Sequence, residues 1–253
     1  MESKTKLAIK RFFYPGFNLG TRIRKRIRHS FLKEPNIRTL DLGCGNGYYT
    51  GMAVAAGGTA LGVSFDADQI ARCNEMKPYL PIPSESIEFR VMNAAAIQNM
   101  EERFDQIVFL EVTEHIDNDE EVMRNIARLL KPGGVAHIST PDIRWGHWVG
   151  FLDRHATGGH VRLGYSAERL EKVVRSAGLD VAHQLKFGGL GNFLAPLQNR
   201  MSAAIGGGLM AEGIAFLTVY PFFLLLNLIP VPDSMKIIHY ITARKRVTES
   251  APA

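Results

Sequence analysis

The run Asp41-Leu42-Gly43-Cys44-Gly45-Asn46-Gly47 constrains the fold of this chain more than any other stretch. It leaves a segment, Arg38–Leu42, that reads as a strand, and it leads into a helix ending near Ala56. Glycines between a strand and a helix let the backbone turn tightly and approach a ligand with no Cβ in the way. The spacing is D-x-G-x-G-x-G. A dinucleotide fingerprint would place its third glycine one residue later, where Tyr48 stands. A phosphate-cradling P-loop would need Gly-Lys-Ser/Thr, which is missing. The loop therefore predicts a ligand site of another kind.

Strand and helix signals alternate from Arg38 onward, the pattern of a parallel sheet covered on both faces. After the first strand come strands at Ala60–Phe65, Ile87–Met92 and Phe104–Glu111. Helices are predicted at Ala67–Met76 and Glu120–Leu130. Lys131-Pro132-Gly133-Gly134 stops the second of these and turns into a fifth strand, Val135–Thr140. A helix at Ser166–Ala177 precedes a strand near Leu179–Phe187, and Lys236–Arg244 reads as a seventh strand. The fold class is α/β, a doubly wound, mostly parallel seven-stranded sheet.

With these elements in place, the chain resembles the class I S-adenosylmethionine-dependent methyltransferases from about Thr39 to Gly178. Leu61-Gly62-Val63-Ser64 sits where that family's second strand ends, and Arg90-Val91-Met92-Asn93-Ala94 where a loop borders the adenine. Phe104-Asp105-Gln106-Ile107-Val108 begins its fourth strand, and Leu129-Leu130-Lys131-Pro132-Gly133-Gly134 is its helix-to-strand turn. The resemblance implies S-adenosyl-L-methionine as cofactor, with Gly43 and Gly45 along its amino-acid moiety and Asp41 shaping the loop. The ribose carboxylate that this family places at the end of the second strand is replaced by Ser64. Asp66, two residues on, is the alternative. Asn93 stands for an expected Asp near the adenine amine, beside Ala94.

Glu111-Val112-Thr113-Glu114-His115 leaves the fourth strand at its carboxyl end, the edge where open α/β sheets bind ligands. Its simplest use is local: Glu111 borders the cofactor, and His115 acts as a base or packs structurally. Two carboxylates and an imidazole are also plausible ligands for a divalent cation such as Mg²⁺ or Zn²⁺. The cluster resembles that of the ubiquinone-biosynthesis O-methyltransferases and the small-RNA terminal ribose methyltransferases, which implies a metal on Glu111, Glu114 and His115. His160 is the candidate fourth ligand or second base, and His155 is the substitute.

Four regions follow: a basic helical segment over 1–35, the cofactor-binding core over 36–187, an apolar helical insertion over 188–234, and the last strand and tail over 235–253. In the first, Ile23, Ile27 and Phe31 recur at helical spacing among basic residues within Thr21–Leu32. Such a helix either lies on an anionic surface or packs its thin apolar stripe on the domain. In the insertion, Asn192–Ala204 reads as helical, and Gly213–Val231 carries no charge over about the length of a membrane span. A strand of the sheet follows it, which argues for a lid, a hairpin or an interfacial helix and against a single crossing. Two cysteines and a polar, basic Met1 end point to a reducing cytoplasm with no secretory signal.

The reading is a cytoplasmic methyltransferase, peripheral on the inner face of the membrane, acting on an oxygen of a hydrophobic or lipid-linked acceptor. Carbon methylation or cyclopropanation of a lipid, and an inactive membrane-associated subunit, are the rivals. Nucleic acid is not an expected partner, because the basic residues cluster in one helix without RNA-binding motifs.

Overall fold

The computed structural model describes residues 24–144 and 161–247, together with Leu19 and Arg22. Seven strands form one sheet: β1 (Ile37–Leu42), β2 (Gly58–Ser64), β3 (Ile87–Val91), β4 (Phe104–Leu110), β5 (Leu130–Pro141), β6 (Leu179–Phe187) and β7 (Ile238–Lys245). Their order is β3-β2-β1-β4-β5-β7-β6. The pairs from β3 to β5 are parallel, and β7 runs antiparallel to both β5 and β6. β6 is thus parallel to β5, and its end at Phe187 lies on the same sheet edge as the ends of β1, β4 and β5. This is the doubly wound architecture read from the sequence.

Among the described residues, the complete α-helices are α1 (Tyr48–Ala55), α2 (Ala67–Met76), α3 (Asp119–Leu129), α4 (Ala167–Ser176), α5 (Leu194–Ala204) and α6 (Gly208–Asn227). Asp66, Asn118 and Ser166 cap α2, α3 and α4 with side-chain oxygens, as their residue types dictate. α3 and α4 bury Val122, Met123, Ile126, Leu170, Val173 and Val174 at helical spacing against one face of the sheet. The opposite face is covered by α1 and α2, where Tyr48, Tyr49, Val54, Ile70 and Cys73 are buried.

A polar thread crosses this second face. Gln106, wholly buried, donates from Nε2 to Thr39 Oγ1 and accepts from the Leu32 amide at 2.8 Å. Burial lowers the His137 imidazole to about 3, so it is neutral. It sits 3.0 Å from Gln106 Oε1 through Nε2 and 2.7 Å from the Tyr240 hydroxyl through Nδ1. Those partners assign the proton to Nε2, with Nδ1 accepting from Tyr240.

Several boundaries differ from expectation. Within the basic segment expected to be helical over Thr21–Leu32, Arg22 is α-helical and Arg24–Ser30 forms a short 3₁₀ helix. Its Ile27 and Phe31 are buried against Tyr48 and Tyr49, so this part packs on the domain. β5 begins at Leu130, because Leu130 pairs with Phe104 before a register shift and draws the Lys-Pro-Gly-Gly run into the strand. β4 ends at Leu110, one residue short, since Glu111 adopts φ 56°.

Candidate functional site

The glycine loop is fixed to the end of β2 by two amides, Gly43 and Cys44, that both donate to the Val63 carbonyl at 2.9 Å. Gly43, Gly45 and Gly47 have φ of 83°, 53° and 74°, the left-handed region that glycine tolerates. Their surroundings separate their roles. A Cβ at Gly43 would overlap the Val112 side chain, and one at Gly47 would press on the Phe89 ring at 2.8 Å. A Cβ at Gly45 would meet nothing within 4 Å. Packing thus requires the first and third glycines, whereas the second faces open space beside the sheet edge.

Asp41 sits beneath the loop, 3% exposed, and accepts a 2.6 Å hydrogen bond from Thr50 Oγ1. Burial raises its carboxyl to about 7, against a smaller lowering by Thr50. Its buried position suits a residue that shapes the loop rather than one that meets solvent or ligand.

At the end of β2, Ser64 Oγ donates to Gln69 Oε1 at 3.0 Å and accepts from the Asp66 amide at 3.2 Å. Asp66 Oδ1 accepts from the amides of Asp68 and Gln69, which makes it the cap of α2. Asn93 Oδ1 accepts from the Ala95 amide, next to half-buried Ala94. All three polar candidates therefore stand at the expected edge with an oxygen engaged in local backbone. Between Ser64 and Asp66 lies Phe65, 78% exposed, an aromatic face that sequence reasoning passed over.

Glu111 is the clearest strained position, a non-glycine residue at φ 56° at the carboxyl end of β4. Its amide donates to the Ser139 carbonyl, and Ser139 Oγ donates to its Oε1 at 2.8 Å. Oε2 lies 3.3 Å from Arg24 Nη1, a largely enclosed ion pair with side chains 17% and 16% exposed. Burial works against the Arg24 charge, but the Glu111 carboxylate, Tyr49 and Glu114 outweigh it and hold the guanidinium above its ordinary value. The sequence offered no sign of this pairing, because one basic residue among many gives no local cue.

Glu114 is 1% exposed and turned to Thr140, whose Oγ1 donates at 3.4 Å. Burial first, and the neighbouring Glu111 charge second, push its carboxyl well above the usual range. His115, next along the 3₁₀ turn Thr113–His115, is exposed. Among the described residues no three of His, Cys, Asp or Glu converge on a metal position. Glu111 already has a cation in Arg24, Glu114 is buried with its carboxyl pushed above the usual range, and His115 is exposed. His155 and His160 lie outside the described residues.

Beyond Glu111 the same edge continues to Gly188 and Gly189, which follow β6. There a cleft of about 400 Å³ opens between these glycines, the end of α6 and Ile229–Val231.

A sequence-family profile for a methyltransferase domain matches residues 18–184. The chain belongs to the methyltransferase-domain family. Among curated proteins, this methyltransferase domain is 32% identical over 133 residues to a ubiquinone biosynthesis O-methyltransferase of Bartonella tribocorum, covering 50% of this chain and 53% of that protein. It is 29% identical over 154 residues to the mitochondrial ubiquinone biosynthesis O-methyltransferase of Rattus norvegicus, covering 57% and 45%. The chain thus spans about half the length of these relatives. Among solved structures, an S-adenosylmethionine-dependent methyltransferase of Mesorhizobium loti shares the fold at a TM-score of 0.61 and 15% identity, over 88% of this chain and 98% of that one. An N-methyltransferase of Bradyrhizobium japonicum, in complex with S-adenosyl-L-homocysteine, aligns at a TM-score of 0.56 and 15% identity, over 90% and 88%.

Proposed function

We propose that this methyltransferase domain transfers the methyl group of S-adenosylmethionine to an oxygen of a hydrophobic acceptor presented at the cytoplasmic face of a membrane. The observation that carries the reading is one of placement. The open cradle at Gly45, the Glu111–Arg24 pair and the apolar cleft at Gly188–Gly189 share a single sheet edge, with α6 at its border.

The residues present fit the donor. Gly45 leaves room for its amino-acid moiety, and Ser64, Asp66 and Phe65 stand at the end of β2, where the ribose and adenine would lie. Asn93 and Ala94 flank the adenine side in this reading. The sulfonium donor supplies an already activated methyl group, so the chain has two tasks: hold the acceptor in line and take its proton. His115, exposed just past the carboxyl end of β4, serves as the base. His160, which precedes Ser166 in the sequence, is the second candidate for that role. Glu111 orients Arg24 and closes the donor side from water.

The membrane face comes from α6. Ala211, Ala215, Phe216, Val219 and Phe223 form its buried stripe, against Leu19 and the α5 hairpin. Met210, Ile214, Leu217, Phe222, Leu225 and Leu228 are exposed on the other side. Residues 210–227 are apolar enough to span a membrane and only 33% buried. Yet β6 before the helix and β7 after it pair with each other in one sheet, so α6 cannot cross alone. An interfacial helix that dips its outer face into one leaflet satisfies both facts, and a net charge of +5 favours an anionic surface.

The test incubates the protein with methyl-labelled S-adenosylmethionine and a detergent-dispersed lipid extract. Label should move into organic-soluble product, and vesicles of phosphatidylglycerol should sediment the protein. Replacing Leu217 and Leu225 by Glu should abolish sedimentation while leaving the fold intact. Label confined to water-soluble products, or sedimentation unaltered in that variant, would refute the reading.

A further inference from the structure

Beside the cleft at Gly188–Gly189 lie buried hydrogen-bond donors that nothing among the described residues satisfies. Arg22 lines it, with its guanidinium carbon 4.7 Å from the centre of the Phe216 ring and 5.1 Å from that of Tyr220. Those rings engage the flat face of the group and leave its edge for hydrogen bonding. On that edge Nε and Nη2 are buried and have no hydrogen-bond partner. A buried donor left unpaired costs about 1–3 kcal/mol, more when charged, so such an edge is an unusual thing to retain.

A second orphan lies behind the glycine wall. Asn192 is 1% exposed; its Oδ1 accepts from the Gly189 amide at 2.9 Å, while its Nδ2 is buried without a partner. That Nδ2 lies 3.0 Å from the point where a Cβ on Gly188 would sit. Lys236 adds a cation to the same cleft; its Nζ pairs with Asp233 Oδ1 at 2.7 Å, and that aspartate is 81% exposed. An exposed pair of this kind is weak and readily exchanged for a better anion. The remaining walls are apolar: Phe187, Phe223, Ile229, Pro230 and Val231.

A neighbouring Nε and Nη on one guanidinium edge match the two oxygens of a carboxylate or phosphate. Two cations with an unpaired amide, set against five apolar side chains, describe an anion joined to an apolar chain. Arg22 is two residues from Arg24, hence within about 7 Å along the chain of the arginine that meets Glu111. The cleft is therefore adjacent to the donor edge.

We propose that this cleft holds the acidic group of an amphiphilic acceptor, with Arg22 as the anion-binding side chain and the residues of Ile229–Val231 along its apolar chain. The proposal rests on the methyl-transfer reading above and narrows its acceptor to molecules bearing a carboxylate or phosphate beside a hydrocarbon.

Binding of octyl phosphate and of neutral octyl glucoside, each below its micelle concentration, is measured by calorimetry on the full chain. Octyl phosphate should bind at least tenfold more tightly, and rising salt should narrow the difference. Arg22→Gln should remove that preference, whereas Arg22→Lys, a point charge without the fork, should restore only part of it. S-adenosylmethionine titrated into the same variants reads the donor edge separately, so its retention shows that the methyl-transfer reading stands whatever the cleft does. If Arg22→Gln also loses the donor, Lys236→Gln and Val231→Glu carry the test, each expected to weaken octyl phosphate binding and spare the donor. Equal affinity for the two octyl probes, or a preference unchanged in Arg22→Gln, would overturn the proposal. So would binding seen only with phosphatidylglycerol vesicles, which would make the cations a membrane contact instead.

Discussion

Gly45→Ala separates ligand space from packing at the loop. At φ 53° a non-glycine residue costs about 1–2 kcal/mol, and no atom within 4 Å adds a clash. For a chain of this size that corresponds to a fall in Tm of roughly 2–8 °C. The new methyl would stand in the space assigned to the amino-acid moiety of S-adenosylmethionine. Affinity for it should therefore fall at least tenfold, about 1.4 kcal/mol, in a protein that remains folded. Gly43→Ala provides the contrast. It suffers the same backbone penalty at φ 83° and in addition drives its Cβ into Val112, so it should be the less stable of the two. Val112→Ala in the Gly43→Ala background should recover part of that loss, and it should do nothing for Gly45→Ala. Thermal melts and calorimetric titration of the donor read both quantities. Gly45→Ala binding the donor as tightly as wild type would refute the argument, as would Gly43→Ala matching Gly45→Ala in stability.

Asp41 predicts a pH dependence with a definite sign. Its carboxyl titrates at about 7 in the folded chain against an ordinary 3.8, so the unfolded chain loses its proton first. The contribution is complete below the unfolded value and is lost as pH rises from about 4 to about 7, an upper bound of about 4 kcal/mol. Denaturant midpoints across that range should fall less steeply in Asp41→Asn than in wild type, and parallel curves would count against it.

The sequence by itself determined the order of strands and helices and the position of the ligand loop. Both are written in short-range signals: apolar runs of strand length, capping residues such as Asp66 and Asn118, and glycines at turns that need positive φ. Boundaries were less legible wherever a distant partner decided them. Leu130 joins β5 because Phe104 is there to pair with it, and Glu111 leaves β4 because Ser139 takes both its amide and its carboxylate. Only the tertiary structure decided the rest. The carboxylate-and-histidine run carries no local sign that Arg24 lies against Glu111, that Glu114 is buried or that His115 is exposed. From Gly213 on, α6 is uncharged and reads as apolar all round, and only its packing on Leu19 and α5 splits it into a buried stripe and an exposed face. Arg22 is one of many basic residues in the sequence; the Phe216 and Tyr220 rings and the wall at Gly188 make it a candidate site. The physical reason is common to all three: charge pairing and burial depend on distance in space, and local periodicity carries no record of it.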